Sequence, residues 1–307
     1  MNHLWLIPAG IIAVLVGLEL VLRLFGFGKP LLYQADSQIG YLIAPNQQTC
    51  RFGKQIAINR HSMRSPEIAA ARPDQTLRVL MLGDSILNGG WWTDQGDTVS
   101  ALLQQQLNSP SDRLVEVLNA SANSWSPRNE LAYLQRFGSF ESQMIILMIN
   151  TDDLFGVAPA AVVVGRDRNY PNRLPPAAIA EVVTRYVLPP QPIPELAALQ
   201  AEAGDRVGFN LTAIRQIRDL ARQNNAEFML VMTPLLRELG SGSRDYELKA
   251  RQRLQAFTQS EGILYIDFLP IFQALPDYRA IYHDHIHLNP AGNRQIVEQL
   301  IAKFPSL

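Results

Sequence analysis

The chain has 307 residues, a formal net charge of -1, 47% hydrophobic residues and 18% charged residues. That balance excludes a disordered chain and fits one sizeable α/β domain with appendages. It carries no basic excess of the kind that announces a nucleic-acid partner, and the single cysteine, Cys50, excludes an internal disulfide.

From the N-terminus, residues 4–25 read LWLIPAGIIAVLVGLELVLRLF. About 20 apolar residues are enough to cross a bilayer as a helix. Glu19 and Arg23 interrupt the run, spaced so that on a helix they share a face and pair, near enough to its end to reach the interface. Three readings compete. A cleaved signal peptide needs a small-x-small cleavage site, and no convincing one follows. A buried core helix shows a polar face. A retained single-pass anchor within residues 1–28 fits best. Arg23 and Lys29 follow the span, and counted literally they place what comes next in the cytoplasm, although long domains cross regardless of such counts.

Residues 29–75 are rich in turn formers and poor in periodicity, and read as an extension leading into a domain of residues 76–307. There, continuous apolar runs at 77–82, 114–118, 144–149, 228–232 and 263–268 predict buried parallel strands. Helical stretches at 98–107, 128–137, 211–223 and 244–259 lie between them, and Asn289 with Pro290 marks the start of a last helix reaching Phe304. Strands alternating with helices predict a parallel sheet with helices on both faces. Residues 156–207 break the rhythm: prolines at 171, 175, 176, 189, 190, 192 and 194 rule out a long regular element. This segment reads either as a surface insertion or as a lid over a site.

Gly83-Asp84-Ser85 follows the first buried strand, and the carboxyl end of a strand is where open α/β sheets bind ligands. Gly83 is expected to permit a sharp turn. Far downstream, Asp284 and His287 stand three apart, just before a helix. A serine hydroxyl is a poor nucleophile until a base takes its proton, and histidine suits that task near neutral pH. A carboxylate must hold the imidazole in the right tautomer. Ser85, His287 and Asp284 therefore form a candidate triad. His283, His285 and His287 alternate, which raises a metal site as a weaker alternative. Trp91 and Trp92 either line a pocket or simply pack.

The motifs VLMLGDSILNGG (79–90), VLNASANSW (117–125), ILMINTDDL (146–154) and DHIHLNPAGNR (284–294) resemble, in order, those of the GDSL/SGNH hydrolase family. Residues 39–68 resemble a lead-in of membrane-anchored bacterial members. The resemblance covers about residues 76–305. It implies a three-layer α/β/α, flavodoxin-like fold, no metal or other cofactor, and an extracytoplasmic domain, which is preferred here to the charge count. It also implies an acyl-serine intermediate in the hydrolysis or transfer of an acyl group, acetyl included, on a carbohydrate or lipid ester.

Two positions depart from the pattern. The oxyanion hole implied by the resemblance comprises the N–H of Ser85, the N–H of Ser124 where the family carries glycine, and Asp152 where it carries asparagine. An ionised aspartate only accepts hydrogen bonds and would repel an oxyanion, whereas a protonated one can donate. Asn150 and Asn123 are alternatives whose register fits less well. A second functional reading follows from Asp152: a membrane-tethered protein that binds or assembles envelope glycans and has lost efficient catalysis.

Overall fold

The computed structural model describes residues 6–109 and 113–304; the first two residues of the apolar run, Leu4 and Trp5, lie outside them. Helix α1 (Leu6–Leu24) is long and apolar enough to cross a membrane, and none of its 18-residue span from Ile7 is buried. Glu19 accepts from Arg23 Nε at 2.7 Å, the pairing expected from their spacing.

The turn-rich stretch that follows holds two antiparallel hairpins, β1 (Tyr33–Asp36) with β2 (Gly40–Ile43) and β3 (Gln47–Arg51) with β4 (Lys54–Ile58). Their strands are too short to show a period, which is why the sequence reads as an irregular extension. Tyr33, Tyr41, Ile43, Ile56 and Ile58 face inward and join the main core.

The domain proper runs β5 (Leu77–Gly83), α2 (Ser85–Asn88), α3 (Val99–Asn108), β6 (Val115–Ser121), α4 (Pro127–Phe137) and β7 (Met144–Asn150). Two short helices, α5 (Ala178–Val182) and α6 (Pro194–Gln200), punctuate the proline-rich insertion. The chain then continues through α7 (Arg206–Gln223), β8 (Glu227–Thr233), α8 (Leu236–Gly240), α9 (Asp245–Ser260), β9 (Leu264–Asp267), α10 (Phe268–Gln273) and α11 (Pro290–Lys303). The five strands pair in parallel in the order β6-β5-β7-β8-β9.

Alternation along each strand divides the core into two layers. Leu80, Leu82, Leu147 and Leu230 pack under α4, α7 and α9 and against the hairpins, through Tyr133, Ile214 and Leu254. Val79, Met81, Ile146 and Val231 pack under α3, α10 and α11, through Leu103, Phe268 and Ile296. The result is the three-layer, flavodoxin-like arrangement. In that strand order the topology reverses between β5 and β7, and the crevice at their carboxyl ends is where this architecture takes its ligands. Asp84-Ser85 leaves β5 there, and Asp152 leaves β7.

Candidate active site

Asp84 caps α2, its Oδ1 accepting from the Ile86 N–H at 2.9 Å, which sets Ser85 as the first residue of that helix. At that position an N–H has no intrahelical partner, and the Ser85 N–H has no acceptor among the described residues. Gly83 acts differently from expectation. It stays in regular pairing with Met148, and a Cβ there would lie 2.7 Å from the Met148 carbonyl and 2.9 Å from the Leu87 Cβ. Space, not turning, requires the glycine.

Ser85 Oγ lies 2.9 Å from His287 Nε2, and His287 Nδ1 lies 2.8 Å from Asp284 Oδ2. The loop that brings them together is built on Asp284, whose Oδ1 accepts the N–H groups of Ile286 and His287. Burial alone would raise the Asp284 carboxyl, but the His287 N–H and ring together with the Ile286 N–H outweigh it and hold its pKa at about 2. A charged Asp284 accepts a proton-bearing Nδ1, which leaves Nε2 as the acceptor facing Ser85. Behind the loop, Asn289 caps α11 by accepting from the N–H groups of Ala291 and Gly292, with Pro290 in the first helical position, as the sequence signals.

The three alternating histidines do not converge. His283 stacks on Trp92 at 4.8 Å with ring planes 7° apart, and His285 stands in solvent. Trp92 also touches the His287 ring at 4.7 Å, so its indole braces that imidazole from the side. Trp91 packs on Phe52.

Ser85, Ser124, Asp152 and His287 line one cavity of about 550 Å³. Ser124 adopts a left-handed backbone with φ 59, the conformation that explains a glycine preference at this position. Its N–H has no acceptor among the described residues. Asp152 is exposed at the cavity, and the partial desolvation of its carboxyl is the main cause that pushes it up, reinforced by Glu247 and Glu238 and opposed by Arg237 and His285. The shift favours the protonated, donating form. Asn150 is unavailable as a substitute donor, because its Nδ2 is spent on Asp84 Oδ2 at 2.8 Å and Asp153 Oδ2 at 2.9 Å. The Asn123 side-chain oxygen has no partner among the described residues, and its carbonyl accepts from the Tyr41 hydroxyl.

The model of the GDSL-like lipase/acylhydrolase family matches residues 81–295, well over half of the chain. The chain belongs to this family. Among solved structures, the first of these three is similar at the level of the fold. An acetyl xylan esterase, AlAXEase, is 12% identical with a TM-score of 0.51, over 75% of this chain and 100% of that one. TesA is 17% identical with a TM-score of 0.49, over 73% and 96%. A lipolytic protein of the G-D-S-L family from Veillonella parvula is 15% identical with a TM-score of 0.46, over 75% and 100%. A search of curated proteins finds no match. Family membership makes the chain a GDSL-type ester hydrolase.

Several residues that shape the site give no signal in the sequence. Arg64, buried, donates to the carbonyls of Asn88, Gly90 and Thr93 and so holds the loop that carries Trp91 and Trp92. Burial is the main cause that lowers its pKa to about 10, opposed by Asp94. It sits in the lead-in at 39–68, where resemblance alone pointed. Tyr170, from the insertion, donates to Ser124 Oγ at 2.9 Å. Three buried carboxyls are pushed up chiefly by burial: Asp84, already marked by the Gly-Asp-Ser motif, accepts from the Ser85 hydroxyl at 3.2 Å and lines the cavity with Asp153, and Glu130 is the third. Neither oxygen of Glu130 has a partner among the described residues.

Proposed function

We propose that the chain is a membrane-tethered serine esterase, cleaving or transferring an acyl group, acetyl included, on a carbohydrate or lipid ester through an acyl-Ser85 intermediate. The observation that carries this reading is the continuous relay from Ser85 Oγ to His287 to Asp284, at 2.9 and 2.8 Å. His287 Nε2 takes the proton as Ser85 Oγ bonds to the acyl carbon. The carbonyl oxygen gathers negative charge, held by the N–H groups of Ser85 and Ser124 and by protonated Asp152. Collapse expels the alcohol, which leaves with the proton from His287. Water, or a second hydroxyl, then gives its proton to His287 and attacks the acyl-enzyme, releasing Ser85. Burial at Asp152 supports its donor role by favouring the acid form. Helix α1 serves as a retained anchor, with the catalytic domain on the extracytoplasmic side.

The test is labelling of the solubilised full-length chain with a fluorophosphonate probe, beside Ser85→Ala. Labelling that is abolished by the substitution is expected; no labelling of a folded wild type refutes the reading. The second reading, a glycan-binding or assembly protein with weak catalysis, is favoured by one observation: a carboxyl at position 152 where the family carries an amide.

A further inference from the structure

The insertion is bolted to the last turns of α1. The N–H groups of Ala178 and Ile179, at the start of α5, donate to the Glu19 carboxylate at 2.9 and 3.0 Å. Glu19 lies five residues before the end of α1, so at about 1.5 Å per residue α5 meets the helix roughly 7–8 Å inside its end. A second set of contacts fixes the same joint. Glu181 accepts from the Gly28 N–H at 2.6 Å and pairs with Arg51 at 2.9 Å, while the Arg51 guanidinium lies 3.8 Å from the Phe27 ring. A Cβ on Gly26 would meet the Cys50 carbonyl at 1.9 Å, so the chain leaving α1 is packed directly on β3. The helix, the second hairpin and the insertion are thus joined by direct contacts.

From this joint the insertion exposes apolar side chains. Tyr186 is 59% and Val187 69% exposed, and Leu188, Val183 and Leu174 stand out with them. Contiguous exposed apolar groups need an apolar partner, and tyrosine among aliphatic residues, with Arg185 and Lys29 nearby, is the composition of a membrane interface. The cavity that holds Ser85 and His287 extends to this region: Lys29, Pro30 and Leu31, just beyond α1, form its other end together with Glu181 and Arg185.

We propose that residues 174–188 form a foot seated in the bilayer interface beside α1, so that the catalytic cavity opens at the membrane surface and takes its acyl ester from a membrane-dissolved amphiphile. This deepens the esterase reading and rests on it for the substrate class. The occupant of the apolar face is the lipid bilayer, because the face is continuous with a helix long enough to span one.

The test uses the full chain in liposomes and two probes with the same scissile bond, an umbelliferyl acetate with and without a hexadecyl tail. Confinement of the tailed ester beside the cavity raises its effective concentration, so the wild type should prefer it at least about tenfold. The double variant Val187→Asp, Leu188→Asp should lose that preference while turning over the tail-less ester as the wild type does. An unchanged preference overturns the proposal. A wild type inactive on both esters overturns the esterase reading, and with it the substrate class. Placement is read separately, without turnover. In a Cys50→Ser background, a fluorophore at Val187→Cys should be quenched by brominated lipid, and one at Gln223→Cys, beyond the amino ends of the strands, should not. Equal quenching at both positions overturns the foot. A fluorophore at 187 that is shielded but not quenched assigns the face to a second copy of the chain and equally overturns it.

Discussion

Replacing Asp152 by Asn isolates the most unusual feature of the site. In the acid form, Asp152 and an asparagine offer the oxyanion the same thing, one hydrogen-bond donor, and such a donor is worth about 10²–10³ in rate. Once Asp152 ionises, the donor is lost and a negative charge faces the developing oxyanion; at ~4 Å and an effective dielectric near 20 that repulsion alone approaches ~4 kcal/mol. Solvent screening at this exposed carboxyl reduces it. The sign with pH follows from the direction of the shift. Burial raises the Asp152 pKa, so the donor persists above the ordinary carboxylate range and disappears as pH rises through the raised value. Wild-type kcat should therefore show a limb that falls as Asp152 ionises. In Asp152→Asn the falling limb should flatten. The ratio of variant to wild type should stay near one while Asp152 is protonated, then climb as it ionises by up to about tenfold per pH unit to a plateau of about 10². The assay is release of 4-nitrophenol from its acetate from about pH 4, the ordinary carboxylate range, upward, with Ser85→Ala subtracted as the blank. Parallel pH profiles for the two proteins would refute the donor role. An inactive wild type beside an active Asp152→Asn would instead favour the binding-protein reading.

Two further outcomes follow from the buried charges. Glu130 is fully buried without a hydrogen-bond partner among the described residues, and burial raises its pKa, with Asp84 adding to the rise. The folded state therefore binds a proton that the unfolded state releases above the ordinary glutamate range, and stability should fall with rising pH by up to about 1.4 kcal/mol per unit. Glu130→Gln should match the wild type in Tm near pH 4 and exceed it increasingly toward pH 8; a constant difference across that range contradicts this. Arg64→Ala should leave three carbonyls without their buried donor and open a cavity, costing roughly 3–5 kcal/mol. Thermal unfolding in detergent should show it as a fall in Tm of about 10 °C, and a change within 2 °C would mean that the loop at 88–93 is held by something else.

The sequence by itself determined what depends on neighbouring residues along the chain. Apolar runs such as LRVLML and MIILMIN report strands buried on both faces, because each residue's environment repeats locally. Asn289-Pro290 marks a helix start because the cap acts over three residues. Asp284 and His287 were legible as partners because they share one loop, and Ser85 because it ends a buried strand. Glu19 and Arg23 were legible as a pair because helical geometry sets their spacing.

Only the tertiary structure decided what depends on packing between distant segments. The hairpins at 33–58 are four- and five-residue strands whose apolar side chains acquire a face only by docking on the core. Gly83 is required by the approach of β7 and α2, which no local pattern encodes. Asn150 carries the right side chain for an oxyanion donor, yet β7 delivers it between Asp84 and Asp153, where its hydrogens are already spent. The same holds for Glu19: its helix predicts the pairing with Arg23, but the two N–H groups it also accepts come from a proline-broken segment about 160 residues away. Proline there suppresses periodicity without preventing order, because contacts of its short helical turns with α1 and Arg51 add to their own backbone hydrogen bonds.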